Sequence, residues 1–143
     1  MGVFIVEVRP RWSDMDAYGH VNHANTVTLL EEARVALLFT EAARQGNDGM
    51  ARGVVVARLV VNYFVPLVAD GRSVRVTMSV REMQHASFTL GYEVHSGPSE
   101  SDPVAASAET RLVPYDTEHG RPRRLTEGER DFLAAYRSGS NGA

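Results

Sequence analysis

The sequence predicts an α+β domain: one long helix packed on a curved, mainly antiparallel sheet of about five strands. Three observations predict it. Only one long segment, Ala24 to Arg44, carries apolar residues at helical spacing. One strand-like run precedes it and four alternating runs follow it. The links between those four are short, and short links join antiparallel neighbours, since parallel pairs need long crossovers. A single helix beside such a sheet covers its apolar face.

The first strand spans about Val3 to Trp12, with Val3 and Ile5 on one face and Phe4, Val6 and Val8 on the other. A polar loop follows. In the helix, Leu30, Ala33 and Leu37 recur on one stripe, with Val27 leading in and Phe39 a further candidate. Asn22 or Asn25 is placed to cap it. Gly46 and Gly49, with Asn47 and Asp48, end it in a turn. Val54 to Val65 is rich in β-branched residues, its odd positions form an apolar set, and Pro66 stops it. Ser73 to Met83 alternates Val74, Val76, Met78 and Val80 against Arg75, Thr77, Ser79 and Arg81. Ala86 to His95 places Phe88, Leu90, Tyr92 and Val94 on one face. Val104 to Val113 is a weaker fifth strand. Thr126-Glu127-Gly128-Glu129 matches a capping box ahead of Phe132, Leu133 and Tyr136. We therefore expect a single domain over 1–137, with a short helix over about 126–137, and a disordered tail over 138–143.

A chain of 143 residues holds one real core. Its apolar fraction of 43% is that of an ordinary globular protein, and a net charge of −3 gives no basic field for nucleic acid. No apolar run is long enough to cross a bilayer, so no membrane role and a cytoplasmic location are expected. Cysteine is absent, which excludes disulfides, a thiol nucleophile and thiolate metal sites. Every basic residue is arginine, so Schiff-base chemistry and a phosphate-loop lysine are excluded as well. Any phosphate on a ligand must meet arginine, backbone N–H groups or hydroxyls.

Chemistry concentrates in Arg11-Trp12-Ser13-Asp14-Met15-Asp16-Ala17-Tyr18-Gly19-His20-Val21-Asn22-His23-Ala24-Asn25. This stretch sets two carboxylates, two imidazoles and amides just ahead of a helix. A helix start offers free N–H groups and a positive dipole end, suited to a developing oxyanion. A carboxylate beside it can attack a carbonyl or activate water. The simpler alternative is that Asp14 and Asp16 only fold the turn.

The pattern Asp-x-Asp-x-x-Gly-His-Val-Asn resembles the start of the acyl-CoA thioesterases of the 4-hydroxybenzoyl-CoA thioesterase type, which have the hotdog fold. The strand order extends the similarity to about Tyr115. The resemblance implies a hydrolase of acyl-CoA-type or acyl-carrier thioesters, with Asp16 catalytic. It places a thioester-binding N–H near His23 and, by position, gives His20 and Asn22 roles at the substrate site. It also implies a homodimer or homotetramer, which would cover the edge strand Val54 to Val65.

Tyr63 is expected in the core with its hydroxyl at a rim, where it can meet substrate. Glu31 or Glu32 is the alternative base, although a solvated helix face is the simpler reading. His20 and His23 have His-x-x-His spacing, but no third ligand is fixed nearby, so no metal and no cofactor are assigned. Arg58, Arg72, Arg75, Arg81 and the run Arg121-Pro122-Arg123-Arg124 are candidates for phosphate contacts. Two other functions remain open. A hotdog enoyl-CoA hydratase or dehydratase would carry Asp-x-Asn-Pro-x-His, which this loop matches poorly. A non-catalytic acyl-ligand-binding protein is the third reading.

Overall fold

The computed structural model describes residues 2–138. Strand β1 (Phe4–Val8) is shorter than the pattern suggested. Pro10 has no N–H to extend the ladder, and Trp12–Asp14 instead forms a 3-10 turn. Helix α1 (His23–Val35) continues through a wider π-type segment (Ala36–Glu41) into α2 (Ala42–Arg44), so the long helix begins and ends close to its expected limits. A 3-10 turn at Gly49–Arg52 leads into the sheet.

Strands β2 (Val54–Tyr63), β3 (Val74–Met83), β4 (Phe88–His95) and β5 (Val104–Asp116) follow. The five strands order as β1-β3-β4-β5-β2, and every neighbour is antiparallel. The two-residue strand β6 (Arg121–Pro122) pairs with the end of β5. This is the hotdog arrangement: the sheet wraps the long helix.

The core lies between them. Leu29, Leu30, Ala33, Leu37 and Leu38 of the helix bury against Val76, Met78, Val80, Leu90 and Tyr92. Burying one such leucine contributes about 1.5–3 kcal/mol. The alternation in β3 and β4 therefore reads directly into burial, since all eight apolar residues of those two sets are buried. In β2 the alternation breaks. A bulge between Val56 and Arg58 moves Val56 onto the face shared by Leu59, Val61 and Tyr63. That strand is the sheet's second edge, and Val55, Val56, Leu59 and Tyr63 stay exposed.

Helix α3 (Glu127–Ala134) docks on this body through Phe132 and Leu133, with Tyr136 beyond its end meeting Phe4 edge-on at 5.9 Å. Thr126 and Glu129 form the expected capping box. Glu129 also takes both Nη atoms of Arg123 at 2.9 Å, so Arg123 is a structural residue. The tail expected at 138–143 lies outside the described residues except for Ser138, whose N–H donates to the Val80 carbonyl.

Candidate active site

The polar loop is folded by its own side chains. Asp14 is 1% exposed and accepts from the Arg11 backbone (2.7 Å), the Arg11 guanidinium and Asn25 Nδ2 (3.0 Å). Burial alone would push its carboxyl up, but these donors outweigh it and hold the group below the usual carboxylate range. Met15 bridges Val21, and the Asn22 N–H donates to the Asp14 carbonyl, which closes the loop against the helix start.

Asp16 sits at the tip of a turn. Its N–H donates to the His20 carbonyl (2.7 Å), and its Oδ1 accepts from the backbone N–H of Tyr18 (2.8 Å) and His20 (3.2 Å). Gly19, at φ +81°, supplies the left-handed residue that the turn requires. Asp16 Oδ2 has no partner among the described residues. One carboxylate oxygen is thus anchored and the other is left without a partner among the described residues.

Asn22 caps α1, its Oδ1 accepting from the Ala24 N–H (2.9 Å). Its carbonyl takes the N–H groups of Asn25 and Thr26. The His23 N–H is left with no acceptor among the described residues, at the positive end of the helix. Across from it, Tyr63 Oη donates to the His23 carbonyl (2.7 Å), and the two rings meet edge-on at 6.4 Å. Burial raises the Tyr63 phenol above its ordinary value, which keeps it a donor. Tyr63 is 49% exposed, so it is not a core residue: it ends the edge strand β2, opposite Ala106 of β5.

Asp16, His20, His23 and Tyr63 line one cleft of about 380 Å³. Asn22 does not line it, because its side chain is spent on the cap. Thr26, Phe64, Leu67, Ala105 and Ala106 form much of the remaining wall. Sequence reading missed these five. The signal was present in the weakness of the fifth strand: Ala105, Ala106 and Ala108 are small, and small side chains leave room beneath the helix. Glu31 and Glu32 are exposed and lie outside the cleft, with Glu32 reaching Arg11 at 3.7 Å.

Among the described residues, three possible metal ligands come together only at Asp116, Glu118 and His119, on the surface away from the cleft. Asp116 is already engaged by His119 Nδ1 (2.7 Å). His20 and His23 do not form such a group.

The sequence profile of the thioesterase-like superfamily matches residues 10–135. The chain belongs to that superfamily. The superfamily domain is similar to a Thermus thermophilus thioesterase solved with coenzyme A and zinc, at 30% identity and a TM-score of 0.73, covering 92% of each chain. It also resembles a protein of Pseudomonas aeruginosa (23% identity, TM-score 0.80, 94% of this chain and 92% of that one). A 1,4-dihydroxy-2-naphthoyl-CoA thioesterase from Synechocystis matches at 17% identity and TM-score 0.76, over 93% and 96%. At these last two identities the likeness is one of fold. No curated protein matches the chain. Membership agrees with thioester hydrolysis as the general activity. No helix among the described residues is long and apolar enough to cross a membrane.

Proposed function

We propose that this thioesterase-like domain hydrolyses acyl-CoA-type thioesters to a free acid and a thiol. One observation carries the reading: an open carboxylate oxygen on Asp16 shares a cleft with His23, whose N–H at the helix start has no acceptor among the described residues. The thioester carbonyl accepts from the His23 N–H, which polarises it and holds the oxyanion that develops on attack. One such donor is worth about 3–4 kcal/mol in the transition state. Asp16 Oδ2 then either attacks the carbonyl carbon, giving an acyl anhydride that water cleaves, or draws a proton from an attacking water. In either case collapse of the oxyanion breaks the C–S bond, and the thiolate leaves and is protonated to the thiol. His20 and Tyr63 bound the substrate, while Asn22 and Tyr63 fix the helix start. No step requires a cofactor.

The β2 edge supports the expected homodimer or homotetramer. Its unpaired N–H and C=O groups and the exposed Val55, Val56 and Leu59 are covered when a second copy pairs along it. The cleft opens beside that edge at Tyr63, which favours a site completed at a subunit boundary.

Incubation with a panel of acyl-CoAs and a thiol reagent tests the activity. Thiol release supports hydrolysis. Loss of enoyl absorbance without thiol supports the hydratase reading, and binding without either supports a non-catalytic acyl-ligand protein.

A further inference from the structure

The polar side chains of the cleft divide by depth. Asp16, His20, His23 and Tyr63 stand at its exposed or half-exposed rim. Thr26 is the one polar lining residue that is buried, at 3% exposure. The other buried lining residues, Val21, Leu67, Ala105 and Ala106, are apolar. The inner part of the cleft therefore offers one hydroxyl on an apolar wall.

That hydroxyl has no hydrogen-bond partner among the described residues. A threonine inside a helix ordinarily turns its hydroxyl to the carbonyl four residues back. Here that carbonyl belongs to Asn22, and it already accepts from the N–H groups of Asn25 (2.8 Å) and Thr26 (3.0 Å). The buried side chains of Asp14, His95, Thr110 and Glu129 all have partners. Ser79, the other buried hydroxyl without one among the described residues, does not line the cleft. A covered hydroxyl left unpaired is costly, so this one is suited to an incoming ligand.

We propose that Thr26 determines specificity: its hydroxyl binds an oxygen on the β carbon of the acyl group, so the preferred substrates are β-hydroxyacyl thioesters. The inference rests on the thioester reading of this cleft given above. Thr26 lies three residues beyond His23, about 4.5 Å along the helix axis. With the thioester oxygen on the His23 N–H, that offset matches the few bonds between the carbonyl carbon and a β substituent. The thiol half of the substrate leaves by the exposed rim, and the acyl half enters the buried part. A threonine hydroxyl both donates and accepts, as a β-hydroxyl does, so the two satisfy each other. An unsubstituted acyl chain leaves Thr26 unpaired, which is the source of the discrimination.

The test is the ratio of kcat/KM for racemic β-hydroxyhexanoyl-CoA to that for hexanoyl-CoA, in the wild type, Thr26→Val and Thr26→Ser. Valine keeps the branched shape and removes the hydroxyl, whereas serine keeps the hydroxyl. The expected ratio is roughly ten in the wild type and in Thr26→Ser, and roughly one in Thr26→Val. Thr26→Ala removes the same hydroxyl with a strong helix former, so the comparison survives a valine variant that fails to fold. A wild-type ratio of about one overturns the proposal, and so does a ratio that loss of the hydroxyl leaves intact. An equal fall with both substrates is a result of the second kind and assigns the hydroxyl to the attacking water instead. Failure of hydrolysis is separable from failure of this proposal. If neither substrate releases thiol, the hydrolase reading falls, and calorimetric titration of the same two acyl-CoAs gives the ratio as affinities. A preference present in the wild type and lost in Thr26→Val then sustains Thr26 as the group that reads the β oxygen. Equal affinities overturn it.

Discussion

The hydroxyl of Tyr63 donates a 2.7 Å hydrogen bond to the carbonyl oxygen of His23. It ties the last residue of an edge strand to the first residue of the long helix. The contact leaves the His23 N–H untouched and anchors the carbonyl of the next peptide unit, so the residue that carries that N–H is held in place.

Replacing Tyr63 by Phe removes this anchor and little else. The expected cost is about 1 kcal/mol in stability. A looser helix start lowers kcat/KM roughly three- to tenfold, because the oxyanion donor loses its fixed direction. Burial holds the phenol above its ordinary value, so the wild-type contact persists to about pH 10. Thermal melts and steady-state kinetics across alkaline pH check both points.

Asp14 behaves as the loop's internal strut. Asp14→Ala leaves the Arg11 backbone N–H and Asn25 Nδ2 without their acceptor in a buried setting. A loss of about 2–3 kcal/mol is expected. Turnover per folded molecule stays near wild type. Unchanged melting with lost turnover would exchange the roles of Asp14 and Asp16.

Gly19→Ala tests the turn itself. An added Cβ meets nothing within 4 Å, so the cost is conformational, about 1 kcal/mol at φ +81°. Because Gly19 N–H bonds the Asp16 carbonyl, kcat should fall along with stability. Gly19→Asn should be milder, since Asn tolerates that conformation. Melting curves and kcat for the pair decide it.

Acid should loosen the C-terminal helix through Glu129. Burial alone pushes this carboxyl up, yet Arg123 and the Thr126 N–H outweigh it and hold it below the ordinary glutamate value. Its folded value lies below its unfolded one. Its stabilising effect is therefore full above the unfolded value near pH 4.3 and is lost as pH falls further. Glu129→Gln should lower the melting temperature at pH 7 and flatten its decline below about pH 4.3. A parallel decline in both proteins would assign the acid sensitivity elsewhere.

The fold was legible because its signals are local. Val74 to Val80 and Phe88 to Val94 alternate without error, and Asn22 and Thr126 cap the helices as their side-chain chemistry requires. The β2 bulge was not legible: an unbroken run of valines gives no mark for the extra residue at Ala57, and the shift is set by pairing with β5. Asp16, His20 and His23 were found because they are close in sequence. The wall formed by Thr26, Ala105 and Ala106 depends on strand order, which brings β5 under the helix start. Arg123 stood among the candidates for phosphate contacts because its partner Glu129 is six residues on, and only folding buries that pair.

The central claim is that the open oxygen of Asp16 does the chemistry. Asp16→Asn isolates it, since the amide retains an Oδ1 for the Tyr18 and His20 N–H groups and so preserves the turn. The decisive measurement is kcat of this variant on the best acyl-CoA of the panel, beside its melting temperature and substrate affinity. Loss of turnover by roughly a hundred- to ten-thousandfold, with folding and binding intact, is the expected outcome. Wild-type kcat would contradict it and move the search for the base to Glu31 and Glu32.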